Sequence, residues 1–450
     1  MVASGLSPFE SNEGAVQTRL SGTKQLMVSR GRRLVHTSWS NFFAVKKSIW
    51  FISKYASPPH SRGGQRGISL ATEFVRAGHD AAVITSTSNH FGMFRTDEWS
   101  TIERGFIKAS FEGVPILAHT TIPYGRTASA KRVISWLHFE WGLLRLPTQQ
   151  LARPTHIIVS SLSLLSILNG YRLARKFQSK LVFEIRDIWP LTLQTEFGLS
   201  QKHPIVALLS AIERFGYRKS DVVVGTMPNL EEHVRSVSGS KPRIETIPLG
   251  IDDDLMGLVP EHVPPSRDSM STIVGYSGSI GRTNSLEVLL DAAMEIGPDN
   301  NLEFHFWGGG DLFEKYREAY RGQSHIHFHG HLERADLFKE VSKSHILYLA
   351  TDNSRLWNYG QSLNKMLEYL VIGRPVIASY SGYPSMLNES GSGVFVPAAD
   401  KESLIQEILH LSALPRHDQE SLGTKGRDWV LSHRTYAHLS DLYLRILDSL

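Results

Sequence analysis

The feature that most limits how this chain can fold is an alternation of strand-like and helix-like segments that runs, stops, and starts again. Ile49–Ser53 reads as a strand, followed by a glycine loop and a helix over Gln65–Ala77 that Gly78 ends. Further strands are expected at Ala81–Ser86, His156–Ser161, Leu181–Ile185, Val222–Met227 and Ile244–Leu249. Residues 257–271 then hold Pro260, Pro264 and Pro265 without periodicity, which predicts a linker. The rhythm resumes with strands at Thr272–Tyr276, Leu302–Trp307, Ile326–His329, Ile346–Ala350, Pro375–Ser379 and Val394–Pro397. Helices fit between them at Leu286–Ile296, Leu312–Tyr320, Ala335–Ser342 and Asn364–Leu370. Such alternation gives parallel sheets covered by helices. The expected fold class is therefore α/β, with two Rossmann-like doubly wound domains facing a cleft, and 450 residues are too many for one compact core.

The expected domains are an N-terminal unit over 46–256, the linker at 257–271, a C-terminal unit over 272–434 and a final helix over 435–450. Residues 1–45 have no sustained periodicity and are rich in Ser, Gly and Arg. They read as a disordered or mis-started extension, dispensable for the chemistry. That tail holds Arg19, Lys24, Arg30, Arg32 and Arg33 against Glu10 and Glu13, and the whole chain carries only +4. The body is thus nearly neutral, which excludes general nucleic-acid binding. No apolar run reaches the roughly 18 residues of a membrane span. With no cysteine, disulfides, thiolate metal sites and a cysteine nucleophile are excluded.

Two segments carry chemistry. Tyr276–Arg282, after a strand, has small residues that let backbone N–H groups approach an anion, with a helix start expected at Asn284. Gly278 and Gly281 shape this loop, and Arg282 is placed to pair with a phosphate. Gly275, Gly278 and Gly281 fall at intervals of three, unlike the dinucleotide-dehydrogenase spacing. Tyr359–Val376 reads as loop, helix, glycine stop and strand. Ser362, Leu363 and Asn364 would sit at the helix start, Lys365 would add positive charge there, and Glu368 one turn on could accept hydrogen bonds from ribose hydroxyls.

These pieces resemble glycosyltransferase family 4. "GQSLNKMLEYLVIGRPVIAS" is similar to its donor-binding signature, and "GGQRG", with Gly63 and Gly64, to its N-terminal glycine loop. "FEIRDIWP" resembles a segment of the family's amino-sugar transferases, and "IERFGYRKSDVVVGTMP", "IETIPLGID" and "GYSGSIGRTNSLEVLLDAA" agree in order. The resemblance spans about residues 46–450. It implies the GT-B fold and a retaining transfer from a nucleotide diphosphate sugar, with UDP and an N-acetylamino sugar as the expected donor. The acceptor would be a glycan or a lipid-linked acceptor, bound by the N-terminal domain, with the nucleotide sugar on the C-terminal one. No cofactor or metal is implied. Arg282 and Lys365 would bind the diphosphate and Glu368 the ribose. The first glutamate of the family's paired motif is replaced by Gly360, so no carboxylate role is expected there. Asp187, just after a strand, would orient the acceptor or the sugar, or merely cap the next segment. A cytoplasmic location, peripheral on the membrane, goes with this reading. Its alternatives are a UDP-sugar 2-epimerase of the same fold and a non-catalytic nucleotide-sugar-binding partner subunit.

Three further features compete for attention. Asp252, Asp253 and Asp254 form an acidic cluster that is expected to be solvated. His325, His327, His329 and His331 alternate, so a strand would put them on one face in a zinc-like array, but no carboxylate or cysteine accompanies them in the sequence. They read as a strand rim, with His331 near the nucleobase by the family resemblance. Ile134, Leu137, Trp141 and Leu144 recur at helical spacing beside Lys131, Arg132 and Arg145, which fits either a buried helix face or a membrane-surface helix.

Overall fold

The computed structural model describes residues 45–57, 64–89, 92–93, 99–125, 130–161, 163–251, 253–259 and 271–450. Residues 1–44 of the tail, Gly63, Asp252 and residues 260–270 of the expected linker lie outside these, as do the side chains of Asp253 and Asp254.

The first half contains strands β1 (Ser48–Ile52), β2 (Asp80–Ser86), β3 (Ser88–Asn89), β4 (Gly92–Met93), β5 (Ser100–Thr101), β6 (Phe106–Phe111), β7 (Val114–His119), β8 (His156–Ser160), β9 (Lys180–Ile185), β10 (Val222–Gly225) and β11 (Ile244–Thr246). Its helices are α1 (Arg66–Arg76), α2 (Ala130–Leu144), α3 (Ser166–Phe177), α4 (Leu191–Phe197), α5 (Pro204–Lys219) and α6 (Leu230–Ser238). The nine-stranded sheet runs β11-β10-β9-β8-β1-β2-β7-β6-β5. It is parallel except for β6 and β5, which pair antiparallel at one edge.

The second half contains helix α7 (Asp253–Leu258), strands β12 (Thr272–Ser277), β13 (Leu302–Trp307), β14 (Ile326–Gly330), β15 (Ile346–Ala350), β16 (Val376–Ser379) and β17 (Gly393–Val396), and helices α8 (Glu287–Ile296), α9 (Phe313–Ala319), α10 (Arg334–Val341), α11 (Asn364–Ile372), α12 (Leu387–Ser390), α13 (Lys401–Ala413), α14 (Arg416–His433) and α15 (Tyr436–Asp448). Its sheet is parallel throughout, in the order β14-β13-β12-β15-β16-β17. The chain therefore starts in the middle and winds outward in both directions. In such sheets ligands bind outside the carboxyl ends of the strands where the winding reverses. Here that point lies between β12 and β15; in the first sheet it lies between β1 and β8.

Apolar residues line both faces of each sheet, as buried parallel strands require. One expectation moves. The chain crosses from one half to the other earlier than 257–271: Ile247 packs in the first half, whereas Leu249, Ile251, Leu255 and Val259 pack in the second. The apolar residues at 249, 251, 255 and 259 bind this stretch to the second core before the prolines begin. Helix α15 also belongs by packing to the first half. Its Tyr436, Leu439, Tyr443 and Ile446 join the core around α1, and Tyr443 meets Phe74 edge to face at 6.0 Å. The two crossings run side by side, with Ile251 N donating to Arg434 O (2.7 Å) and Tyr436 N donating to Ile251 O (3.3 Å).

At this junction Arg66 is buried with Glu184, its Nε donating to Oε2 at 2.9 Å. The same guanidinium donates to Ile247 O (2.8 Å) and Pro248 O (2.5 Å), and Tyr443 OH donates to Glu184 Oε2 (3.0 Å). Breaking a buried pair leaves the other charge uncompensated. Arg66→Met is expected to destabilise the protein by about 3–5 kcal/mol, and Tyr443→Phe by about 1–3 kcal/mol. Urea unfolding followed by circular dichroism measures both, and equal, negligible losses would contradict this role.

Candidate active site

The site is built on the switch point of the second sheet. β12 ends at Ser277 and leads into Gly278–Gly281; β13 ends at Trp307 and leads into Gly308–Gly310. The two loops interlock. Gly278 N donates to Trp307 O (2.9 Å), Ile280 N to Gly309 O (3.0 Å) and Leu312 N to Ile280 O (3.1 Å). Gly308 has φ +133°, and a Cβ there would lie 1.8 Å from Gly278 O. Gly278 has φ +142°, and a Cβ there would meet Lys365 Cε and Nζ at 2.7 Å. Both positions thus need glycine for conformation and for space.

Lys365 stands on the first turn of α11. Its Nζ donates to Tyr276 OH (2.8 Å) and Asn284 Oδ1 (3.3 Å) and sits 4.2 Å from the centre of the Tyr276 ring. Burial pulls this ammonium down to about 8, against a smaller opposing pull from Glu368. Tyr369, one turn on, accepts from Ser277 N at 2.8 Å and locks α11 against the end of β12. Leu363 caps α11 without a side-chain hydrogen bond, and Asn364 is exposed at its first turn. Ser362 Oγ accepts from Leu249 N (3.2 Å). Glu368 pairs with Arg334 at 3.5 Å.

Lys365, Gly278, Gly281 and Arg282 are therefore brought to one place. The Arg282 side chain is 85% exposed and lies 3.9 Å from Asp311, so it is free to turn toward a ligand. The helix expected at Asn284 begins later: Arg282–Asn284 is a 3₁₀ turn, Ser285 takes φ +42°, and α8 starts at Glu287. The Asn284 side chain instead holds Lys365. His331 is exposed beyond β14.

Gly360 explains its own departure from the glutamate pattern. It has φ +93°, and a Cβ would lie 2.5 Å from the Pro228 ring of the first half. The preceding turn docks there too, with Asn229 N donating to Tyr359 O (3.0 Å). A side chain at 360 would push the halves apart.

In the first half, Gly64 lies in the turn before α1, its carbonyl accepting from Ser57 N (3.2 Å). Asp187 follows β9, and Ser161 Oγ holds its backbone by donating to Asp187 O (3.2 Å). Solvent reaches Asp187, yet enough protein crowds it that desolvation pushes the carboxyl up against the pull of Arg186 and Arg132. Lys54, just past β1, is buried and donates to Ser86 Oγ and Ser88 O (both 3.2 Å); burial pulls it down to about 7.

Sequence reasoning missed Gly308–Gly310, Tyr276 as the partner of Lys365, Arg334 and Lys54. The three consecutive glycines after a strand were a readable signal for the first. The others depend on contacts between distant segments.

The histidine expectation is corrected. His325 precedes β14, so it escapes the strand's alternation, and its Nε2 bonds Ala293 O (2.9 Å) on α8. A carboxylate does accompany the others: Glu303 lies 3.1 Å from His305 Nε2 and 3.8 Å from His327 Nε2. It comes from the neighbouring strand, out of reach of local spacing.

These features define a protein of two doubly wound domains with a lysine and paired glycine loops at the switch point of the second. Two family models match in tandem: "Glycosyl transferase 4-like domain" over residues 65–250 and "Glycosyl transferases group 1" over 271–413. The chain belongs to the glycosyltransferases of the GT-B fold. Solved structures agree in fold. Sucrose-phosphate synthase from Thermosynechococcus elongatus superposes with TM-score 0.66 at 18% identity, covering 90% of this chain and 100% of that one. The catalytic domain of starch synthase IV from Arabidopsis thaliana, bound to ADP and acarbose, gives 0.66 at 13%, again with 90% and 100% covered. HepE from Anabaena, in complex with UDP and glucose, gives 0.58 at 12%, with the same coverage. No curated protein sequence matches the chain.

Because Gly308 carries both a left-handed backbone and a contact no Cβ can make, Gly308→Ala is expected to cost at least about 1–3 kcal/mol. A thermal melt reads this, and an unchanged melting temperature would show that the loops do not interlock as described.

Proposed function

We propose that the protein is a retaining glycosyltransferase that moves a sugar from a UDP-linked donor, an N-acetylamino sugar in our reading, to a glycan or lipid-linked acceptor without a metal ion. The observation that carries this reading is the Lys365 ammonium held against Gly278 at the switch point. A diphosphate seated on the two glycine loops would meet Lys365, Arg282 and backbone N–H groups. Glu368 would take the ribose and His331 would lie near the base. HepE bound to UDP and glucose, and starch synthase IV bound to ADP, show that this fold accommodates nucleoside diphosphates in those proteins.

The chemistry follows from charge. As the bond from the anomeric carbon to the phosphate oxygen breaks, negative charge grows on the β-phosphate. Fixed cations and N–H donors stabilise that charge without reorganising. The acceptor hydroxyl oxygen forms the new bond on the same face, and its proton passes to the departing phosphate. Asp187, on the opposite wall, would orient the acceptor hydroxyl. Lys365→Ala is expected to lower kcat/KM for the donor by roughly 10²–10³-fold with the fold intact. Arg282→Ala should lower it too. The ammonium is lost as pH rises through about 8, so kcat/KM should fall above that pH, and Lys365→Arg should move the fall upward. Steady-state kinetics across pH test this; a wild-type rate in Lys365→Ala would remove the lysine from the site.

No helix among the described residues is long and apolar enough to cross a membrane. Helix α2, however, leaves Val133, Ile134, Leu137, Trp141 and Leu144 about half exposed. They fall on one side at helical spacing. Lys131 is exposed at its start, and Arg145 lies 4.3 Å over the Trp141 ring at its end. An anionic lipid surface is the occupant this apolar stripe with cationic ends fits. Co-sedimentation with phosphatidylglycerol-containing vesicles is expected to exceed that with pure phosphatidylcholine vesicles. Leu137→Glu with Trp141→Glu should abolish it; equal sedimentation of wild type and variant would reject the assignment.

A further inference from the structure

β13 and β14 are paired so that His305 lies directly opposite His327. Glu303 shares the His305 face of β13, two residues before it. The donor atoms of Glu303, His305 and His327 all lie within 4.8 Å of one another. Glu303 Oε2 is 3.1 Å from His305 Nε2 and 3.8 Å from His327 Nε2. A zinc ion binds such atoms at about 2.0–2.1 Å, which sets the edges of its tetrahedron near 3.3–3.5 Å. The observed separations bracket that value.

Two details fit a metal better than a chance cluster. His327 Nε2 is buried yet has no hydrogen-bond partner, an arrangement that ordinarily costs free energy. A metal would occupy that lone pair. His305 turns its other nitrogen, Nδ1, to His329 Nε2 at 2.9 Å. With Nε2 on a metal, Nδ1 carries the proton and donates it to His329, the outer contact that orients metal-bound histidines. Ser271 hydrogen-bonds the Glu303 carboxylate in the same supporting way.

We propose that Glu303, His305 and His327 form a Zn²⁺ site on the β13–β14 pair, with its fourth position open to water. Both carboxylate and imidazoles are partly exposed, so the ion enters from solvent. The ion ties the edge strand β14 to β13. Trp307, the last residue of β13, stacks on His329 at 5.0 Å and is followed directly by Gly308 of the interlocked loops. The site therefore braces the strand that carries one of those loops, and it supplies no contact to the Lys365 cradle. It stands independently of the sugar-transfer reading.

The test uses the full chain without an affinity tag, stripped with a chelator and titrated with Zn²⁺ against a competing chelator dye. One Zn²⁺ per chain is expected, with a rise in melting temperature on binding. Co²⁺ substituted at the same site should give the visible absorption of a four- or five-coordinate centre. His327→Gln should weaken Zn²⁺ binding by roughly 100-fold or more and abolish that absorption. Glu303→Gln is the second variant if the first misfolds by circular dichroism, and His331→Gln, outside the triad, should bind as wild type. Absence of a stoichiometric ion, or equal Zn²⁺ affinity in wild type and the folded triad variants, would overturn the proposal.

Discussion

The fold closes on the buried pair of Arg66 and Glu184. Arg66 begins α1 straight after the first glycine loop, Glu184 lies in β9 three residues before Asp187, and the remaining donors of Arg66 hold Ile247 O and Pro248 O where the chain leaves the first half. Tyr443 brings α15, the returning end of the chain, to the same carboxylate. Two charges removed from water are held by their mutual contact, by Tyr443 on Glu184 Oε2 and by the two carbonyls that take the other Arg66 donors. The result is that one wall of the cleft, the outgoing crossing and the returning helix share a single anchor.

The second wall depends on exclusion of side chains. The loops after β12 and β13 approach so closely that a Cβ at Gly308 would overlap the Gly278 carbonyl. This closeness leaves Lys365 a niche between Gly278 and the Tyr276 ring. Rigid placement of charge is what a reaction with developing phosphate charge requires. Gly360 applies the same device to the seam between the halves, where Pro228 occupies the space a carboxylate would need.

Ile346–Ala350 was legible as a short apolar run, and Leu302–Trp307 as an alternation of apolar and polar residues. The β6–β7 hairpin at the sheet edge, with its mixed sequence, was not. The α2 stripe shows the limit of periodicity: Leu137 and Trp141 have the spacing of a packed helix face yet lie half exposed. Spacing reports that a helix has an apolar side, and says nothing of whether protein covers it.

The sequence by itself determined the two doubly wound units, the glycine loop before Arg282 and the helix that carries Lys365 and Glu368, because each rests on neighbours within a few turns of chain. Only the tertiary structure decided that Lys365 leans on Tyr276, that Glu303 joins His305 and His327, that Gly360 abuts Pro228, and that α15 returns to the first half. Those relations join residues far apart in sequence. They are fixed by strand register, by the space left between backbones, and by the need to give buried charges and polar groups a partner.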